Sequence, residues 1–382
     1  MNILYAKWNS YMAEDVHHAL VIKHDVFVVN FILEGFSMNP KSVKDISNAF
    51  SSHHFDIVFT INYYPEISSI CEQYNTKYIS WIYDAPCIML YDKSVLNKCN
   101  YIYSFDKQVV NELSLKGVKN IYYLPLAVEK CFQDVIPCTN FISDVTFVGS
   151  TYSEKLNLYN QCYNAFPEYI KGYITSLIES QLLLDGYFVL GDALSDEAES
   201  IVKSTVKLEP PEGFLMSFKD FFANFILGAK ATSRQRIHTL NTISEACNLN
   251  IHCIKPDGLL SDKITIKGPV DHDHDLGKLY ASSKINLNIT MTNIQNGIPL
   301  RCFDIMGSGG FLLTNYREAF TDLFTDGEDF VIYYDTDDMK AKIEYYLVHE
   351  DERIAIARNG QKKVRSLHTV PKKIDYMLNN IT

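Results

Sequence analysis

The chain lacks the short motifs that announce a familiar nucleotide enzyme. No G-x-G-x-x-G follows the first strand, where Trp8–Tyr11 (WNSY) stands instead, which argues against a dinucleotide held in the Rossmann manner. P-loop and G-x-S-x-G patterns are missing too, as are internal repeats, coiled coils and low-complexity tracts. No apolar run approaches the ~20 residues needed to cross a bilayer. The start, MNILYAKWNSYMAED, reads as a first strand without the long apolar core of a signal peptide. Positive charge is short: the net charge of −11 argues against a nucleic-acid or anionic-membrane partner. The nine cysteines are odd in number and none has metal or disulfide spacing, which fits reduced thiols and a cytoplasmic protein.

What is present is a soluble composition, 47% apolar and 21% charged, over 382 residues. That length exceeds one ordinary core and fits two α/β domains. The 25 tyrosines and 22 phenylalanines can line sugar- or base-stacking surfaces, although most belong to the core.

Residues 1–130 alternate short apolar strands with helical segments. The strands are expected at Asn2–Ala6, Asp25–Val29, Asp56–Thr60, Tyr78–Tyr83, Tyr101–Phe105 and Ile121–Leu124. Helices are expected at Ala13–Lys23, Pro65–Tyr74 and Lys107–Lys116. Such alternation implies a parallel sheet covered by helices, with function at the carboxyl ends of the strands. The loops to watch are therefore Trp8–Tyr11, Asn62–Pro65 and Asp84–Cys87. Asp84 can take a proton from a hydroxyl substrate, or can simply cap the segment that follows.

Pro125–Asp144 breaks the rhythm and reads as a linker, bounded at 131–143. A second series of strands covers Asp144–Ser150, Asn250–Lys255, Lys263–Gly268, Ile285–Ile289, Gly310–Thr314 and Phe330–Tyr334 within a domain at 144–364. Between its first two strands lies a helical insertion at about 155–230, with helical spacing in Tyr169–Phe188 and Phe218–Gly228. A helix over Ala231–Cys247 is expected to be capped by Thr232 or Ser233. Asp337–His368 reads as helical with a break near His349–Glu350. Residues 365–382 carry a last helix expected to cross back to the first domain.

The stretch that organises the chain is Ile285–Thr314: strand, polar loop, short helix, strand. Pro299 suits a helix start, and Leu300, Phe303 and Gly307 mark one face. Arg301 and Asp304, three apart, share another face. A helix opening past a strand end aims N–H groups at an anion, so Gly297, Ile298, Pro299 and Leu300 with Arg301 can hold a diphosphate and Asp304 ribose hydroxyls. The bland alternative for Arg301 and Asp304 is a surface ion pair. Gly149, at a strand end in the same sheet, leaves room for a ligand, with Ser150, Thr151 and Lys155 beside it. A plain turn would look the same. Val270–Asp275 (VDHDHD) has the look of a metal run, but a solvated acidic loop before a helix is favoured, and no metal residues are assigned.

These residues resemble a known family. FVGS (Phe147–Ser150), Lys267–Met291, Asn296–Phe320 and Asp326–Val364, together with SWIYDAP (Ser80–Pro86) and KNIYYLPLAV (Lys119–Val128), look like the CgeB-type glycosyltransferases, named for a spore-maturation protein. The likeness spans nearly the whole chain and is strongest over about 264–364. It implies a GT-B fold: two Rossmann-like α/β domains with parallel sheets facing across a cleft, the second holding the nucleotide sugar. In that group two glutamates eight positions apart flank the donor helix; here they fall on Asn296 and Asp304, so the earlier acid is missing. The group's strand-end G-R-x-x-x-E-K run corresponds to Gly149–Lys155. Ser150 replaces the arginine, and Arg301 or Arg234 is expected to supply the charge.

The function so implied is transfer of a sugar from a nucleotide-diphosphate sugar to an acceptor hydroxyl of a glycan, protein or small molecule. It would need no metal or other cofactor and would retain configuration, with Asp84 and Arg301 as catalytic residues. Two alternatives stand beside it: a non-catalytic sugar-nucleotide-binding or scaffold protein, and a metal-dependent transferase using Asp271 and Asp273.

Overall fold

The computed structural model describes residues 1–136, 138, 140–206, 208–254 and 258–381. Lys255, the last residue of one expected strand, Pro137 of the expected linker and Thr382 lie outside them. The chain divides into two compact units. One comprises residues 1–130, 211–215 and 367–382; the other comprises 131–210 and 216–366.

The first unit is built on strands β1 (Asn2–Lys7), β2 (Asp25–Asn30), β5 (Ile57–Ile61), β6 (Lys77–Ile82), β7 (Asn100–Ser104) and β8 (Ile121–Tyr123), with a hairpin of β3 (Leu33–Glu34) and β4 (Ser37–Met38). The sheet order is β2-β1-β5-β6-β7-β8, all parallel. The interior strand β5 (IVFTI) is buried at every position, whereas the edge strand β2 alternates, because only interior strands are covered on both faces. Helix Pro65–Tyr74 starts with proline at its first position and ends on Asn75 in the left-handed region. Helix Pro40–Ser52, capped by Asn39, and the hairpin before it are additions to the sequence reading. The last helix, Val370–Asn379, belongs to this unit. Its Asp375 pairs with Lys23 at 2.7 Å.

The second unit carries β9 (Ser143–Val148), β10 (Leu249–His252), β11 (Thr265–Lys267), β12 (Ser283–Asn288), β13 (Leu312–Asn315) and β14 (Val331–Tyr333), in the order β11-β10-β9-β12-β13-β14. All pairings are parallel. Val145, Phe147, Ile285, Leu287 and Leu313 form the sheet's share of a core that includes Met339, Ile343 and Ile356 from covering helices. The chain leaves β9 toward β10 on one side and returns to β12 on the other. The sheet's switch point, where ligands settle in open α/β folds, therefore lies between the ends of β9 and β12.

The insertion has its own core. Ile170, Ile174 and Ile178 recur one turn apart along helix Glu168–Leu182 and pack in one cluster with Phe222 and Ile226. The expected cap at Thr232 or Ser233 is corrected. A π-helical turn, Phe222–Leu227, runs straight into helix Gly228–Ile243, so both residues are interior and buried. The Thr232 hydroxyl instead meets that of Thr292 at 3.2 Å. Among the described residues, no helix is long and apolar enough to cross a membrane.

Candidate functional site

Strand β9 is followed directly by Gly149, whose φ of +149° favours glycine and whose N–H donates to the His252 carbonyl at 2.9 Å. Across the switch point, β12 leads through a polar loop to helix Leu300–Gly307, which no side chain caps. Arg301, in its first turn, reaches back over β9. Its guanidinium lies 5.8 Å above the Phe147 ring, and a Cβ on Gly149 would sit 2.8 Å from Nη2. Close approach is what glycine provides here, and the group approaching is Arg301.

A second guanidinium joins it. Arg236 is only 3% exposed and donates to the Ser150 carbonyl at 2.6 Å and the Ile289 carbonyl at 2.9 Å. It stacks over Tyr152 at 4.8 Å and Phe147 at 5.6 Å. Burial, and then the nearby charge of Arg301, pull its pKa down to about 10. Among the described residues, neither arginine is ion-paired with a carboxylate. Two cations near the same strand end, one of them buried, have the charge to hold an anion of more than one charge.

Arg234, the alternative to Arg301 as the source of that charge, points elsewhere. It pairs with Glu179 at 2.7 Å, and both side chains are nearly half exposed. Positions two apart on a helix lie about 200° apart around its axis, so 234 and 236 face opposite ways. A signal for Arg236 was present: it shares the spacing of Leu240 and Ile243, which face the sheet.

The other expected residues surround this pair unevenly. The Ser150 hydroxyl is engaged by Glu154 and accepts from the Tyr152 N–H at 2.7 Å. Thr151 is fully buried and its hydroxyl meets that of Ser153. Lys155 is exposed, its ammonium 5.0 Å over the Tyr152 ring. Gly297 and Ile298 are buried beside half-buried Pro299 and Leu300. Asp304, 4% exposed, lies one turn into the helix from Arg301. Asn296 donates to Glu318 at 2.9 Å, so a carboxylate from the start of helix Glu318–Leu323, after β13, stands beside the position that lacks the earlier acid.

The loop between β12 and the helix is held by a buried polar network that the sequence did not disclose. Arg317, with no exposed surface, donates to the Ile294 carbonyl at 2.7 Å and the Met291 carbonyl at 3.2 Å. Asp185 of the insertion balances it at 2.5 Å and also accepts from Asn315 at 2.8 Å. Asn315 in turn accepts from the Thr290 N–H at 2.9 Å. Removing one partner of such a buried pair costs about 3–5 kcal/mol, so the insertion is locked to the loop.

In the first unit, exposed Asp84 follows β6 and accepts from Asn62 Nδ2 at 2.8 Å. Asn62 is left-handed (φ 63°), and its side-chain oxygen accepts from the Tyr83 and Asp84 N–H groups. Asp84 thus sits in a turn pinned at the carboxyl edge of the sheet.

Residues 234–379 match a family model described as glycosyl transferase-like. No curated protein matches the chain. Among solved structures, Anabaena HepE in complex with UDP-glucose is similar over 100% of this chain and 99% of its own, at TM-score 0.55 and 11% identity. Sucrose-phosphate synthase from Thermosynechococcus elongatus covers 100% and 99% at TM-score 0.53 and 8% identity. The fold is GT-B. T4 phage BGT in complex with UDP-glucose is similar over 99% of this chain and 98% of its own, at 0.51 and 11%. The match to the family model takes in Arg236, Arg301 and Asp304, and leaves Gly149 and residues 1–130 to the GT-B likeness alone.

Proposed function

We propose that the protein is a CgeB-type glycosyltransferase of hexosyltransferase kind, moving a sugar from a nucleotide-diphosphate sugar to an acceptor hydroxyl. The observation that carries this reading is the pair Arg236 and Arg301, which no carboxylate pairs among the described residues, at the switch point of the second sheet. A leaving diphosphate gains negative charge as the glycosidic bond breaks. Preorganised guanidinium groups stabilise that charge without having to reorganise. They supply what a metal ion supplies in other transferases, which supports a metal-independent reaction.

In this reading Gly149, Ser150 and Thr151 border the diphosphate, with Lys155 at its outer edge. Arg301 acts on the leaving group, and Asp304 serves the ribose hydroxyls. Asp84 is the base or contact for the acceptor. Neutralising the donor's charge with two arginines suits UDP, the nucleotide held by the GT-B structures of HepE and BGT. Retention of configuration and a cytoplasmic location belong to the same proposal. The first rests on the family likeness, the second on the lack of any disulfide among the described residues.

The test is a thermal-shift screen of sugar nucleotides, followed by product analysis with the donor that binds. A specific donor raises the melting temperature by mass action, and Arg301→Ala lowers turnover more than donor affinity. Binding without transfer or hydrolysis for every donor would leave the scaffold reading in its place.

A further inference from the structure

The VDHDHD run gains a partner that sequence spacing did not offer. Cys131, His272 and Asp273 each present one ligand atom, a thiol sulfur, an imidazole nitrogen and a carboxylate oxygen, and these atoms lie within 4.8 Å of one another. Cys131 and His272 are half-buried and Asp273 is exposed. The three come from two segments remote in sequence, which distinguishes them from a merely acidic loop. We propose that they form a binding site for a zinc-type divalent ion, with a water molecule in the fourth position.

The donor set suits that class of ion: one sulfur, one nitrogen and one oxygen match a borderline-soft tetrahedral metal and not calcium or magnesium, which take oxygen alone. The surroundings hold the ligands in place. The Phe132 ring meets the His272 imidazole edge-on at 5.1 Å. Asp271 Oδ1 accepts from the Asp273 and His274 N–H groups, closing the turn that carries His272. The two segments also touch independently of the ligands. Gly277, just past the run, faces Val135 and Phe132 so closely that a Cβ would sit 2.6 Å from Val135 Cγ2. Arg365 fixes the Cys131 side through the Val135 carbonyl at 2.8 Å. An ion here would clip the first residues of the second unit to the connection between β11 and helix Leu276–Ala281. It would act on stability, apart from the arginine site.

The experiment uses the full chain, stripped with a chelator and titrated with Zn²⁺ by calorimetry, with Co²⁺ as a spectroscopic probe. One ion per chain is expected, with affinity at least tenfold weaker in Cys131→Ser and His272→Ala and unchanged in His274→Ala. The Co²⁺ complex should show a thiolate charge-transfer band that Cys131→Ser abolishes. Wild-type Zn²⁺ affinity in Cys131→Ser would overturn the site. So would equal losses in His274→Ala and His272→Ala, which would mark simple chelation by the histidine run.

Discussion

Gly149 and Arg301 are fitted to each other: the space where a side chain at 149 would begin lies 2.8 Å from the Arg301 guanidinium. Gly149→Ala therefore meets two penalties, a strained φ of +149° and displacement of the arginine. A stability loss of about 1–3 kcal/mol is expected by chemical denaturation, with UDP affinity falling roughly tenfold. Native UDP affinity in a destabilised Gly149→Ala would separate the Arg301 seat from the anion seat.

Arg236 presents the opposite balance. Its folded pKa of about 10 lies below the ordinary 12.5, so the charged form is disfavoured in the folded protein. That cost, about 3 kcal/mol, applies in full below the folded pKa and disappears only above the unfolded one. Arg236→Met removes it but leaves the Ser150 and Ile289 carbonyls unmet, at about 1–3 kcal/mol each. Stability should thus fall by no more than about 3 kcal/mol, while UDP affinity drops at least tenfold. A collapse in stability with UDP affinity intact would make Arg236 a purely structural residue.

Most of the frame was legible from residues, because strands buried in parallel sheets are short apolar runs bounded by turns. The expected and observed limits of β1, β5 and β12 differ by no more than two residues, and helix Pro65–Tyr74 agrees at both ends. The Arg301 helix and the Gly149 strand end were legible for the same reason: each is a local pattern beside a strand. What escaped was set by distance in sequence. Asp185 balances Arg317 across the insertion, and Cys131 meets His272 from another segment. No spacing rule joins such residues. Arg236 escaped for a different reason: the sequence reading offered Arg301 or Arg234 for the charge and did not consider Arg236, although the helical face was readable from Leu240 and Ile243.

Asp84 distinguishes catalysis from scaffolding. If it takes the acceptor's proton, Asp84→Asn should lower kcat by roughly 10²–10⁴ and leave the donor KM unchanged. The asparagine keeps an oxygen that can accept from Asn62 Nδ2, so the turn after β6 survives. Near-native kcat would reduce Asp84 to a residue that holds the turn.

Lys373 makes the stability of the first unit depend on pH. It is 8% exposed, with its ammonium nitrogen 3.2 Å from His368 Nδ1. Burial, and then the charge of Lys372, lower its pKa to about 8 from 10.5. The unfolded chain therefore binds more protons across that interval, and stability rises as pH increases through it. The cost is complete below the folded pKa and absent above the unfolded one, a span worth about 3 kcal/mol. Lys373→Met should exceed wild type in stability near neutral pH by an amount of that order. The difference should shrink toward zero as pH passes through the interval. Urea denaturation of both proteins across that range is the measurement, and a difference independent of pH would show that Lys373 stays solvated, with its ordinary pKa, in the folded unit.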